Sequence, residues 1–126
     1  MKRILIVDDE KGWRDYHSSV INKILKCNYK IDFAESAEAG YNLLIQNINN
    51  PYDVIFTDLQ MEANYAPLMA GEWFINQIKS FPQYTNSKIV LISASYKIKY
   101  IADNLGVEYI PKTVARQDIL QYKVYL

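Results

Sequence analysis

Five residues of the chain have the types and spacing to do chemistry together. Asp8 and Asp9 end the stretch "ILIVDDE" (residues 4–10), Asp58 ends "YDVIFTD" (52–58), Ser93 falls in "KIVLISA" (88–94) and Lys112 closes "VEYIPK" (107–112). Each follows directly on a short apolar run. Gathered on one rim they form a cluster of three carboxylates with a hydroxyl and an ammonium beside it. Two unit charges ~4 Å apart repel by roughly 4 kcal/mol at a protein-like effective dielectric, so such a cluster needs compensation. A hard divalent cation such as Mg²⁺, which takes oxygen ligands and keeps several waters, makes it tolerable. Taken singly the residues have ordinary readings. Asp58 alone is more often a turn or cap residue. Asp8 and Asp9 can simply open a helix, Ser93 can bond backbone, and Lys112 can be a solvated charge. Only their joint placement speaks for chemistry.

That placement depends on the elements carrying them. "ILIV" (4–7) is a short apolar run of the kind buried on both faces in a parallel sheet. With "YKIDFA" (29–34), "YDVIFTD", "KIVLISA" and "VEYIPK" it makes five segments rich in Val, Ile, Phe and Tyr, as strands are. Helical spacing fills the intervals. Trp13, Tyr16, Val20, Ile24 and Cys27 share one arc of a helical wheel. Ser36 can cap a second helix through Ala39, Leu43 and Leu44. After Gly71, a third presents Phe74, Ile75, Ile78 and Phe81 and stops near Pro82. A fourth runs from about Lys97 to Asn104 and closes at Gly106. The fifth is expected from about Ala115 to the end, with Ile119, Leu120 and Val124 as its apolar side. Strands alternating with helices predict an α/β doubly wound fold, (βα)5, with right-handed crossovers and a parallel sheet covered on both faces. Ligands of such sheets bind beyond the carboxyl ends of the strands, where the five residues fall.

The chain has 126 residues, a length for one domain spanning 1–126, and 14 basic residues balance 14 acidic ones. Neutrality offers no general attraction to nucleic acid or to an anionic membrane. The apolar core of "MKRILIVDDE" is too short for an export signal, and no run approaches the ~20 residues of a membrane helix. A single cysteine, Cys27, cannot form an internal disulfide. These features predict a cytoplasmic domain.

The pieces "ILIVDDE", "DVIFTDLQM", "MAGEWF", "VLISAS" and "VEYIPK", in that order and spacing, resemble the receiver domain of two-component response regulators over nearly the whole length. The resemblance implies a flavodoxin-like sheet of order 2-1-3-4-5. It implies that Asp58 accepts a phosphoryl group from a histidine kinase or phosphotransfer protein, forming an acyl phosphate. Asp9 and Asp58 would bind Mg²⁺ directly, Asp8 largely through water, and the backbone carbonyl of Gln60 would be a further ligand. Lys112 would neutralise the phosphoryl oxygens. Ser93 and Tyr109 would carry the readout: the hydroxyl moves to the phosphoryl group and the aromatic turns into the vacated space beside Ala94. The responding surface would be the fourth helix, fifth strand and fifth helix, where Tyr96, Lys97, Lys99 and Tyr100 offer contacts to an output domain or protein, or to a second copy of the chain. Such a domain is no turnover enzyme beyond its own phosphorylation and hydrolysis.

Two departures from the family pattern stand out. Receivers usually follow the lysine with a proline in a cis peptide, but Thr113 stands here. A cis bond before a non-proline costs ~3 kcal/mol or more, so the expectation is either a trans bond with a shifted lysine or a strained cis bond. Gly71 also lies thirteen residues past Asp58, so "EANYAP" (62–67) reads as an insertion of roughly five residues that would flank the site and modulate docking or phosphate lifetime. Gln60 and Ser95 could order an attacking water. His17, within the apolar arc of the first helix, reads as a partly buried packing residue, Cys27 as a small apolar one. Three other readings compete. A Mg²⁺-dependent phosphatase or phosphotransferase would want its nucleophile after the first strand in Asp-x-Asp spacing, which "DDEK" lacks. A receiver that only binds a partner would not need the full acid set. A flavin binder would want a Gly-rich phosphate loop after the first strand.

Overall fold

The computed structural model describes residues 1–61 and 68–126. The expected insertion, residues 62–67, lies outside the described residues. Five parallel strands form one sheet: β1 (Lys2–Val7), β2 (Tyr29–Ala34), β3 (Val54–Thr57), β4 (Lys88–Ser93) and β5 (Glu108–Pro111). Their order is β2-β1-β3-β4-β5, as expected. The helices among the described residues are α1 (Lys11–Ile24), α2 (Ala37–Gln46), α3 (Ala70–Ser80), α4 (Ile98–Leu105), α5 (Lys112–Gln117) and α6 (Leu120–Lys123), with a 3-10 turn at Pro82–Tyr84.

The period-two geometry of a strand explains the two-sided core. In β1, Leu5 and Val7 join the cluster beneath α2, α3 and α4, while Ile4 and Ile6 join the one beneath α1, α5 and α6. Ile55, Ile89 and Leu91 repeat the first pattern, and Val54, Phe56, Val90 and Ile92 the second. Each fully buried side chain of this size contributes about 1.5–3 kcal/mol. The sheet is therefore firmly set, and so are the positions just past its carboxyl ends.

Local chemistry sets the helix ends. Ser36 caps α2 as expected, its hydroxyl accepting from the Ala39 amide at 3.0 Å. Gly106 ends α4 at φ 68°, a left-handed conformation that favours glycine. Gly71 does something different. A Cβ there would lie 2.2 Å from the Asp58 carbonyl oxygen and 2.6 Å from Leu59 Cα, and its amide donates to the Leu59 carbonyl at 2.9 Å. The start of α3 thus lies directly against the chain leaving Asp58, and only glycine fits.

Two expectations are corrected. The last helix is not continuous: α5 ends at Gln117, Asp118 is extended (φ −138°, ψ 91°), and its carboxylate accepts from the Leu120 amide at 3.1 Å, so that α6 starts afresh. Asp competes with the helix for backbone donors in this way. The break turns Leu120 and Val124 outward, 61% and 69% exposed, and Tyr122 inward. Cys27 is exposed rather than packed, because α1 stops at Ile24 and the helical wheel does not extend to it.

Candidate functional site

β1 and β3 are adjacent, and the Asp58 amide donates to the Val7 carbonyl at 2.9 Å, so the acids that follow the two strands meet. Asp8, Asp9 and Asp58 each present an oxygen within 4.8 Å of the others. Asp8 and Asp58 are 1% and 6% exposed, whereas Asp9 faces solvent. Lys112, the first residue of α5, is buried with them. Its Nζ lies 3.2 Å from Asp58 Oδ2 and 3.5 Å from Asp8 Oδ2. Lys112 thus reaches the acids with Thr113, rather than a proline, after it.

The remaining carboxylate oxygens are held by backbone. Asp8 Oδ1 accepts from the Glu10 amide at 2.9 Å, and Asp58 Oδ1 from the Leu59 amide at 2.8 Å. Both acids are thereby fixed with their Oδ2 atoms turned to Lys112. Ser93 is buried at the end of β4, and its hydroxyl accepts from the Ser95 amide at 3.1 Å. Tyr109 is half-buried in β5 against the α4-side core. Gln60 is exposed two residues past Asp58. Tyr96, Lys97, Lys99 and Tyr100 are all exposed. The structure thus brings together the three Asp and Lys112, with Ser93 at the end of the neighbouring strand and Tyr109 farther back along β5.

Burial first, and then the charge of Asp8, push the Asp58 carboxyl up to about 6, against the opposing pull of Lys112 and the Leu59 amide. Burial also acts upward on Asp8, but His17, the Glu10 amide and Lys112 together outweigh it and leave that carboxyl below its ordinary value. Burial and the adjacent Asp8 raise Asp9. At neutral pH the pocket is strongly anionic with one buried cation to offset it. Its donor set is all oxygen, and Asp8 Oδ2 is a buried atom without a hydrogen-bond partner. Both facts fit a hard divalent cation of the Mg²⁺ type.

Sequence reasoning missed the aromatic wall of this pocket. The Trp13 ring lies under Lys112 Nζ, 4.8 Å from the ring centroid, and beside the Arg116 guanidinium at 4.7 Å. His17, four residues on along α1, was expected to be partly buried packing. It is 2% exposed and more than packing: Nε2 is 3.8 Å from Asp8 Oδ2, and Nδ1 shares a 2.7 Å hydrogen bond with the Tyr122 hydroxyl. Burial lowers its pKa, with Asp8 opposing in part. The i, i+4 spacing of Trp13 and His17, on the helix that starts just past the acids, was the available signal.

Comparison with known proteins agrees with this geometry. A search of the curated proteins finds no match. Among solved structures, the chain is similar to the signal receiver domain of a DNA binding response regulator (merR) from Colwellia psychrerythraea 34H, with 22% identity over 97% of this chain and 98% of that one and a TM-score of 0.73. It is also similar to the phosphorylated cyanobacterial phytochrome response regulator RcpA (21% identity, 96% and 87% covered, TM-score 0.77). A third is the Mn²⁺-bound form of response regulator Rcp1 (22% identity, 97% and 88% covered, TM-score 0.69). The family model described as the response regulator receiver domain matches residues 4–123, a span that holds Asp8, Asp9, Asp58 and Lys112, and the chain belongs to that family.

Proposed function

We propose that this receiver domain is a working phosphoacceptor, taking a phosphoryl group from a phosphohistidine of a kinase or phosphotransfer protein onto Asp58. The observation that carries the reading is the set of three carboxylates within 4.8 Å of one another with Lys112 Nζ 3.2 Å from Asp58. A receiver that only bound a partner would have no need to keep so costly a cluster intact. Solved relatives in a phosphorylated form and in a Mn²⁺-bound form add support.

In this reading Asp9, Asp58 and the Gln60 carbonyl would hold Mg²⁺, with Asp8 acting largely through water. The metal supplies charge neutralisation for the acids and for the phosphoryl oxygens. The residues of the chain do the rest. The Leu59 amide fixes Asp58 by its Oδ1, leaving Oδ2 as the attacking oxygen. As the new P–O bond forms, the P–N bond to the donor imidazole breaks and the imidazole departs with its electron pair and takes up a proton. Lys112, already beside Oδ2, places its ammonium against the charge on the transferring oxygens, the main catalytic contribution in such transfers.

Ser93 and Tyr109 then read the product. The Ser93 hydroxyl, now accepting from Ser95, turns to donate to a phosphoryl oxygen, and Tyr109 follows into the space released. The exposed α4–β5–α5 face, with Tyr96, Lys97, Lys99 and Tyr100, passes this change to an output domain, a separate protein or a second copy. The mechanism is self-catalysed transfer and slow hydrolysis, not turnover of a small substrate.

The test is incubation with acetyl phosphate and Mg²⁺ followed by intact mass. Wild type should gain the mass of one phosphoryl group and Asp58→Asn should not. No gain in wild type, or an equal gain in the variant, refutes the reading.

A further inference from the structure

Asp8 Oδ2 is the one buried side-chain N or O atom among the described residues that lacks a hydrogen-bond partner. Two groups face it, Lys112 Nζ at 3.5 Å and His17 Nε2 at 3.8 Å. Lys112 is shared with Asp58. His17 is tied at its other nitrogen to the hydroxyl of Tyr122, itself wholly buried on α6. The pair therefore links the last helix of the chain to the inner acid of the site.

The hydrogen bonds allow two arrangements of a neutral ring. If Nδ1 carried the proton, it would donate to Tyr122, and the bare lone pair of Nε2 would face a carboxylate oxygen. If Nε2 carries it, the Tyr122 hydroxyl donates to Nδ1 and an N–H points at Asp8. The second arrangement satisfies every group and the first sets two acceptors against each other. The acceptor-only carboxylate of Asp8 thus selects the tautomer, and the Tyr122 hydroxyl, which can donate or accept, holds the ring in place. At 3.8 Å the N–H is just beyond direct bonding distance and needs to close by roughly an ångström.

Resting on the phosphoacceptor reading, we propose that His17, oriented by Tyr122, is a positioning residue that takes over Asp8 Oδ2 when Lys112 turns to the phosphoryl oxygens. Without it, the departure of Lys112 would leave a buried carboxylate oxygen with no donor from the chain itself. With it, Asp8 keeps its orientation through the transfer, and α6 bears directly on the acid site.

The experiment has two arms. In protein carrying ¹⁵N-labelled histidine, the ring nitrogens report the tautomer of the free domain. The Nε2–H form is expected in wild type, with the Nε2 proton moving downfield as its bond to Asp8 shortens when Mg²⁺ and beryllofluoride are added. In the second arm Mg²⁺ affinity is read from Trp13 fluorescence in a Trp73→Phe background, beside the rate of phosphorylation by acetyl phosphate. His17→Leu is expected to lose about tenfold in rate, as loss of one hydrogen bond to a charged group predicts. His17→Gln, which keeps a donor, should recover most of it. If His17→Leu does not fold, Tyr122→Phe, which removes the hydroxyl that holds Nδ1, should keep the Nε2–H form but lose the downfield movement of its proton and slow transfer. An Nδ1–H ring in wild type, or a His17→Leu rate and Mg²⁺ affinity equal to wild type, overturns the proposal. Failure of wild type to take a phosphoryl group would sink the phosphoacceptor reading instead, and the tautomer and Mg²⁺ affinity would still decide the role of His17.

Discussion

Replacing Asp58 with Asn should make the metal-free domain more stable, although it removes the partner of a buried lysine. Asp58 is 6% exposed, and its carboxyl is raised from 3.8 to about 6, chiefly by burial and by the charge of Asp8. At 1.36 kcal/mol per unit, that rise makes the ionised form ~3 kcal/mol worse off in the fold than in the unfolded chain. Because the folded value lies above the unfolded one, the stability contributed by the protonated acid is fully present below about pH 4. It is lost as pH climbs through about 6. Asn imitates the protonated acid at every pH. Wild type and Asp58→Asn should therefore unfold at nearly the same urea concentration at pH 4. They should separate between pH 4 and 6, and stay apart by ~1–3 kcal/mol above pH 7, the lower figure allowing for an imperfectly bonded amide. Shifts on Asp9 and His17 are common to both proteins and largely cancel in the difference, whereas the coupling of Asp58 to Asp8 is part of the difference itself. Added Mg²⁺ should close most or all of the gap, since ligand at a hundred times its Kd stabilises by ~2.7 kcal/mol and Asp58→Asn loses a ligand. The measurement is urea unfolding in EDTA from pH 4 to 8, repeated with Mg²⁺. A variant no more stable than wild type at pH 7.5 in EDTA, or a gap that does not change with pH, would refute the electrostatic argument.

Lys112→Met should destabilise the metal-free domain by ~3–5 kcal/mol at pH 7, because Asp8 and Asp58 then share a buried pocket with no cation; urea unfolding checks this, and Mg²⁺ should restore most of the loss without restoring phosphorylation. Gly71→Ala should cost ~2 kcal/mol or more, since its Cβ would fall 2.2 Å from the Asp58 carbonyl oxygen and force α3 away from the acid loop; the Mg²⁺ titration should weaken with the urea midpoint. Leu120→Gln should change stability by less than ~0.5 kcal/mol, as suits a side chain left exposed by the break at Asp118, whereas a continuous last helix with Leu120 on its apolar side would make the same change costly.

The sheet was legible because its signals are local and repeated. β1, β3 and β4 are short apolar runs, each ending at a polar residue, and burial on both faces is the only use a sheet has for them. Asp8, Asp9, Asp58 and Lys112 could be found by looking one or two residues past each strand, since a parallel sheet turns sequence position directly into place on a rim. The helices were harder where a polar residue had two uses. Asp118 falls inside the helix expected from about Ala115 to the end, yet its carboxylate takes the Leu120 amide and ends the run, which leaves Leu120 outside and Tyr122 within. Cys27 failed for a related reason, as a wheel carries no information about where the helix stops. His17 shows a third kind of loss. Its position on the apolar face correctly indicated burial, but its partners come from β1 and α6, and Tyr122 lies 105 residues away. No spacing rule reaches that far.

The lysine is the part of the site on which these observations converge. Lys112 Nζ is shared between Asp8 and Asp58 at 3.5 Å and 3.2 Å, with the Trp13 ring against it. One ammonium cannot serve both acids and also meet three phosphoryl oxygens. On the proposed reading its departure is possible only because other groups replace it. The acids would hold a divalent cation where the ammonium now stands, and the His17 N–H would take its place at Asp8. A pocket assembled this way is poorly satisfied when empty and well satisfied when charged, which is the energetic requirement for a site whose modification must change the shape of the domain. The raised Asp58 carboxyl and the unpartnered Asp8 Oδ2 are two expressions of that same unfinished arrangement.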